Sequence, residues 1–284
     1  MRDDVDFLGL RAGESPGEYE FTVAGHLARL DGKLYGGTAI AASVAAAELL
    51  TDRTALWMTT QFVASAPHLA EVSMLAEVLA EGRRTNQVRV TATTEGGQVV
   101  FASLGATGMH RDDGLDADFE RAPKVTPPED STPWKGIFTG LEPFLPEGVE
   151  IPFPADGGSE NVMEIRGPEI LAHPDPMPGR VCLWTRRVDR RPITPAVAAY
   201  IADMVPFSVA YAFESFSGGT SLDNTIRLGS FTETEWILLD LRPHMAVGGY
   251  CHGLVHVWSQ DGRLLATAGQ TASMLHFFGG PQGT

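Results

Sequence analysis

Residues 36–50, GGTAIAASVAAAELL, decide the fold. They have helix length and helix-forming residues, yet every side is apolar or small except at Ser43 and Glu48. A helix of that composition has no face for solvent, so protein must enclose it. Its alanines let a strongly curved sheet close around it, where leucines would hold the sheet off. The stretches that follow read as strands: 55–65, 71–81, 85–95 and 98–107. Glu95-Gly96-Gly97-Gln98 is the hairpin turn between the last two. Upstream, 18–23 starts a strand and Asp31-Gly32 turns the chain toward the helix. Residues 1–17 read as a loosely ordered lead-in.

The pattern then recurs. Residues 109–159 are acidic and rich in proline, which prevents both a regular helix and a central strand. This reads as an ordered connector, pinned by Trp134, Phe138 and Phe144. Beyond it come strands at 161–166 and 180–188 and a second alanine-bearing helix at 192–207. Strands at 221–231, 236–243, 253–259 and 264–275 follow, with Asp261-Gly262 in the place of Gly96-Gly97. Strand, buried helix and meander in each half make an internal duplication. The expected class is α+β and looks like a double hotdog: two antiparallel sheets, each wrapped around a long buried helix. The expected domains are 1–110 and 160–284, joined by a connector over 111–159.

The composition narrows the function. A formal charge of −15 excludes a general nucleic-acid surface. Any phosphate-bearing ligand must be held by a local basic group instead of the whole field. Arg83, Arg84, Arg186, Arg187, Arg190 and Arg191 are the basic choices for such a contact, although solvated charge is the default reading of Arg83 and Arg84 beside Gly82. No apolar run approaches the roughly 20 residues that span a bilayer. The acidic N-terminus has no signal-peptide core, and Cys182 and Cys251 form neither a disulfide framework nor a metal spacing. A cytoplasmic protein without metal or cofactor is expected.

Duplication makes unmatched polar residues informative. Asp203 lies beside the stripe Val197, Tyr200, Ile201, Met204 on the second helix, where a carboxylate is costly unless paired or functional. With Gly97 and Gly262 superposed, Gln270 falls opposite Gly105, which suggests room for a ligand. Ser221 begins the strand after the helix. Taken singly, each has an ordinary reading: a solvated aspartate, an outward glutamine, a turn serine. Gly36 and Gly37 allow close packing at a helix start, or expose amides to negative charge. Met58, Met74 and Met204 suit a core or an acyl tunnel.

These residues resemble the acyl-CoA thioesterase II family, whose members are double hotdogs. Gly36-Gly37 with the alanine-rich helix, Gln61-Phe62 to Pro67, and Glu81-Gly82-Arg83 resemble its first-half motifs. Ala199 to Asp203 matches the helix that carries the family's catalytic aspartate. Ser221-Leu222-Asp223 matches the strand start with its catalytic threonine or serine, and Gln270 falls on its catalytic glutamine. Asn224 stands where many members have histidine, and Thr271 where glutamate is frequent. The resemblance implies hydrolysis of acyl-CoA by a water held by Asp203, Ser221 and Gln270, in a homodimer of double-hotdog chains. A non-hydrolytic acyl-CoA or acyl-carrier binding protein is the alternative. An enoyl-CoA hydratase ranks below both, because no Asp/His hydration motif is present.

Overall fold

The computed structural model describes residues 2–111, 113–135, 143–144, 147–148 and 158–279. The first half runs α1 (Arg2–Leu8), β1 (Arg11–Ala12), β2 (Glu18–Thr22), α2 (Gly36–Thr51), β3 (Thr54–Phe62), β4 (Glu71–Glu81), β5 (Thr85–Thr94) and β6 (Val99–Gly108). Short strands β7 (Lys124–Val125) and β8 (Thr132–Trp134) follow, then β9 (Met163–Gly167), β10 (Ile170–Ala172) and β11 (Val181–Arg187). The second half is completed by α3 (Pro195–Ile201), α4 (Val205–Ala212), β12 (Ser215–Leu228), β13 (Ile237–Val247), β14 (Tyr250–Ser259) and β15 (Leu264–Gly279).

Helix α2 is buried from Gly37 through Glu48, as its composition demands. Its two polar exceptions are both bonded. Ser43 Oγ donates to Ala39 O at 2.9 Å and meets Ser103 Oγ at 2.7 Å. Glu48 Oε1 accepts the Ala55 amide at 2.8 Å, where β3 begins. Each half has the same strand order, β2-β4-β5-β6-β3 and β11-β13-β14-β15-β12, which is the hotdog arrangement.

The halves do not keep separate sheets. Strands β3 and β12 end their half-sheets, and an edge strand carries unpaired amides and carbonyls. They pair antiparallel, Trp57 opposite Arg227 through Gln61 opposite Asp223, with Thr59 and Thr225 hydroxyls 2.9 Å apart. The result, among the described residues, is one 13-stranded sheet.

The second helix also differs from its expected single span over 192–207. It breaks at 202–204 into α3 and α4. Pro206 has no amide to donate, and its ring opposes the carbonyl four residues back, so one continuous helix is excluded. Pro195–Ala212 is apolar and 18 residues long, but 78% of it is buried inside the protein.

The lead-in is ordered too. Asp3 accepts from Arg187 and, at 2.6 Å, from Arg191, while Asp4 accepts from Thr194 and is buried. These charge pairs with the distant second half hold α1 in place. In the connector, Trp134 packs edge-on to Phe207 and Phe144 to Tyr211, with ring centres 6.0 and 6.1 Å apart. Phe138 lies outside the described residues. Ala122 and Val125 cover the outer face of the second half at Cys182, Trp184, Trp236, Leu238 and Trp258.

Candidate active site

The break between α3 and α4 places Asp203 against the N-terminus of α2. Gly36 and Gly37 make that approach possible. A Cβ on Gly36 would stand 2.4 Å from Asp203 Oδ2, and one on Gly37 would stand 1.9 Å from Tyr200 O. The helices touch where side chains are missing. Tyr35, just before α2, donates its hydroxyl to Asp203 O at 3.1 Å.

A strand feature completes the site. Ser221 and Asn224 are three residues apart, so a regular strand would point them to opposite faces. The register of β12 against β15 shifts between Ser221 and Asp223, leaving Leu222 as the extra residue of a bulge. Both side chains therefore reach Asp203 Oδ1, Asn224 Nδ2 at 3.0 Å and Ser221 Oγ at 3.5 Å. Asp223, with its neighbour extruded, accepts the Thr271 amide at 3.0 Å and pins the bulge.

Gln270 sits directly opposite Asn224 on β15. Its Oε1 accepts the Val205 amide at 3.0 Å, capping the start of α4. That requirement leaves Nε2 facing Ser221 Oγ, to which it donates at 2.6 Å. The Ser221 hydroxyl, already accepting from Gln270, donates toward Asp203. The bonds run in one direction, glutamine to serine to aspartate.

Asp203 is only 6% exposed. Burial raises its carboxyl from the ordinary range to about 6, against the opposing pull of Asn224, the Arg29 charge, the Gly37 amide and Ser221. Desolvation outweighs all four, so the group is mostly ionised at neutral pH yet a stronger base than a free aspartate.

The carboxylate faces a cavity of about 570 Å³ that includes Gly36, Phe62, Met204 and Ser221 in its lining. Asp203, Ser221 and Gln270 are thus brought together, with Gly36 and Gly37 beside them. Met58 and Met74 are buried in the core instead, and of the three methionines only Met204 lines the cavity. Arg83 and Arg84 are not brought there. They are exposed beside Gly82, whose carbonyl accepts from Arg53 at 3.0 Å near the opposite end of α2. Sixteen residues of helix place that end about 24 Å from Gly36. Arg186, Arg187, Arg190 and Arg191 are ion-paired with Glu164, Glu235, Asp3 and Asp189. Among the described residues, the arginine that lines the cavity is Arg29, bonded to Asp31. Sequence reading missed it, and it missed Tyr35 and the bonding of Asn224.

A second polar cluster, His173, Cys182 and Asp240, has metal-type donors within 4.8 Å of one another. Its hydrogen bonds argue against a metal. His173 Nδ1 accepts the Asp175 amide at 3.1 Å, so Nε2 is the donor to Asp240 Oδ1, 3.1 Å away. Arg242 holds the other carboxylate oxygen through Nε at 2.8 Å and Nη2 at 2.7 Å. Burial pushes the Cys182 thiol up and keeps it protonated.

Comparison with known proteins agrees with this architecture. Residues 26–108 match the acyl-CoA thioesterase N-terminal domain, and residues 122–274 match the acyl-CoA thioesterase C-terminal domain. A Novosphingobium aromaticivorans protein classed as a thioesterase is 28% identical, with a TM-score of 0.78 over 93% of this chain and 97% of its own. A hot dog fold protein from Alicyclobacillus acidocaldarius shares the fold at 21% identity and TM-score 0.78, over 97% of this chain and 98% of its own. The acyl-CoA thioesterase II TesB2 of Mycobacterium marinum shares it at 18% identity and TM-score 0.67, over 99% of both chains. No protein of curated function matched the chain. With a double-hotdog core and both domains of one enzyme matched in order, the chain belongs to the acyl-CoA thioesterase family and is a thioester hydrolase.

Proposed function

We propose that the protein cleaves acyl-CoA by direct attack of a water held between Asp203, Ser221 and Gln270. The observation that supports this most is the buried carboxylate of Asp203, with Ser221 and Asn224 on one oxygen and Gly36 and the cavity before the other. Asp203 takes a proton from the water as its oxygen adds to the thioester carbonyl carbon. The carbon–sulfur bond then breaks, and the proton passes to the departing coenzyme A thiolate. Ser221 and Gln270 orient the water, converting solvent into a placed nucleophile. The Gly37 amide faces Asp203, so the Gly36 amide at the α2 N-terminus is the donor assigned to the developing oxyanion.

Single-turnover thiol release from a medium-chain acyl-CoA tests the assignment. Asp203→Asn keeps the shape but cannot accept the proton, and its rate should fall by about a hundred- to ten-thousandfold. A folded Asp203→Asn protein with the full rate ends this mechanism.

A further inference from the structure

Asp203 follows directly on a short helix, and something must fix that helix. α3 has seven residues. An isolated helix needs roughly 12–15 to hold together in water, so the place of α3 is set by what packs on it. One neighbour is α2, whose Gly37 lies against Tyr200 O. Another is α1, which grips α3 at both ends. At the start of α3 the Thr194 hydroxyl accepts the Val197 amide at 3.1 Å and donates to the buried carboxylate of Asp4. Near its end the Phe7 ring meets Tyr200 edge-on, with centres 5.2 Å apart and planes at 84°.

The contact continues to the aspartate. Tyr200 meets Tyr35 edge-on at 5.3 Å, and the Tyr35 hydroxyl donates to Asp203 O at 3.1 Å. His26 ties the group together: its Nε2 donates to Phe7 O at 2.8 Å, and its own carbonyl accepts from Tyr200. Phe7 and Tyr200 are both buried, and in a close-packed interior a gap at one ring is felt at the next. α1 is anchored away from the site, by Asp3 with Arg187 and Arg191, and by Arg187 over the Phe7 ring at 5.2 Å. No described residue of α1 lines the cavity.

We infer that Phe7 is a positioning residue: through Tyr200 and Tyr35 it fixes the break that carries Asp203, so α1 governs the rate of hydrolysis without touching the substrate. This rests on the thioesterase reading. Without the ring, Tyr200 and the end of α3 shift into the gap, and Asp203 leaves its place before Ser221 and Asn224. Its carboxyl then gives up burial and hydrogen-bond donors together. Burial is the larger influence, so the carboxyl returns toward its ordinary range. The titratable groups facing it among the described residues, Arg29 and Tyr35, keep one charge state near neutral pH.

The test is thiol release from the best substrate of a saturated acyl-CoA series from acetyl to hexadecanoyl, followed as kcat and KM against pH. In Phe7→Ala kcat should fall by about ten- to hundredfold with KM unchanged, the usual cost of a misplaced catalytic group. The acidic limb should move down from about pH 6. Loss of folded protein alone would lower kcat and leave the limb in place, so the limb separates positioning from stability. Phe7→Leu keeps most of the volume and loses the ring edges, so it should fold where alanine does not and shift the limb less in the same direction. Tyr35→Phe removes one hydroxyl and should also lower kcat and the limb. An active wild type whose folded Phe7 variants and Tyr35→Phe keep its limb overturns the inference and leaves the thioesterase reading standing. Thiol release by wild type from no member of the series overturns that reading itself, and the inference with it.

Discussion

Asn224 Nδ2 lies 3.0 Å from Asp203 Oδ1, while its own Oδ1 is buried with no hydrogen-bond partner among the described residues. The side chain gives the aspartate a donor and receives nothing. Donation to the ionised form holds the carboxyl pKa down against burial. Asn224→Leu removes that donor, and the acidic limb of the pH–rate profile should move upward. Loss of the unpaired buried carbonyl offsets part of the stability cost. Asn224→His, which restores a ring donor, should bring the limb part of the way back. An unmoved limb in Asn224→Leu would show that the bond does not tune the base.

The raised carboxyl of Asp203 also predicts how stability varies with pH. A group whose pKa rises on folding, here to about 6, holds its proton more tightly in the folded state. Its contribution is fully present below the ordinary carboxylate range and is lost as pH climbs through 6. At pH 8 wild type therefore carries the penalty of a buried charge, of about 3 kcal/mol at most. Asp203→Asn escapes that penalty, although its amide NH2 faces donors and recovers only part of it. Unfolding in urea should show the variant gaining on wild type between pH 4 and pH 8. The same titration should make wild-type kcat/KM fall below about pH 6. A stability gap independent of pH would contradict the burial account.

The enclosed helix and the strand pattern were readable because both follow from periodicity. Alanine on every side of 36–50 admits few other placements, and the hairpins are marked by Gly96-Gly97 and Asp261-Gly262. The facing of Asn224 was not readable, because a bulge at Leu222 resets the alternation and leaves no periodic trace. The order of α1 was hidden for a different reason: Asp3 is held by Arg187 and Arg191, far along the chain. Pro206 was a visible signal for the break before α4, but apolar residues on both sides make 192–207 look continuous. The arginine beside the cavity was not readable, because an arginine's sequence neighbours do not reveal which end of α2 it reaches. Arg83 and Arg84 adjoin the turn at its far end, and Arg29 the near one.

Gly36 and Gly37 should separate function from folding. A methyl at Gly37 meets the backbone carbonyl of Tyr200 at 1.9 Å, so α2 and α3 must move apart. Gly37→Ala should cost about 1–3 kcal/mol in denaturant unfolding. At Gly36 the methyl meets Asp203 Oδ2 and Phe62, both of them side chains. Gly36→Ala should therefore lose activity by an order of magnitude or more while its unfolding midpoint stays nearer to wild type. The reverse order of stabilities would place the close helix contact at the wrong glycine.

Gln270 joins structure to chemistry through its two ends, and two substitutions distinguish them. Gln270→Glu keeps an oxygen for the Val205 amide, so α4 remains capped and the thermal midpoint should stay close to wild type at pH 4, where the new carboxyl is protonated. It loses the donor that orients Ser221, and it brings a second negative charge toward Asp203. Like charges disfavour joint ionisation, so kcat should fall by about a hundredfold and the acidic limb should move up. Gln270→Ala removes both bonds and leaves the amide of α4 unsatisfied. It should lose comparable activity and, in addition, about 1 kcal/mol of stability, the usual value of a helix cap. If the glutamate variant keeps its full rate, the carboxamide serves only as a cap, and the water is oriented by Ser221 and Asp203 alone.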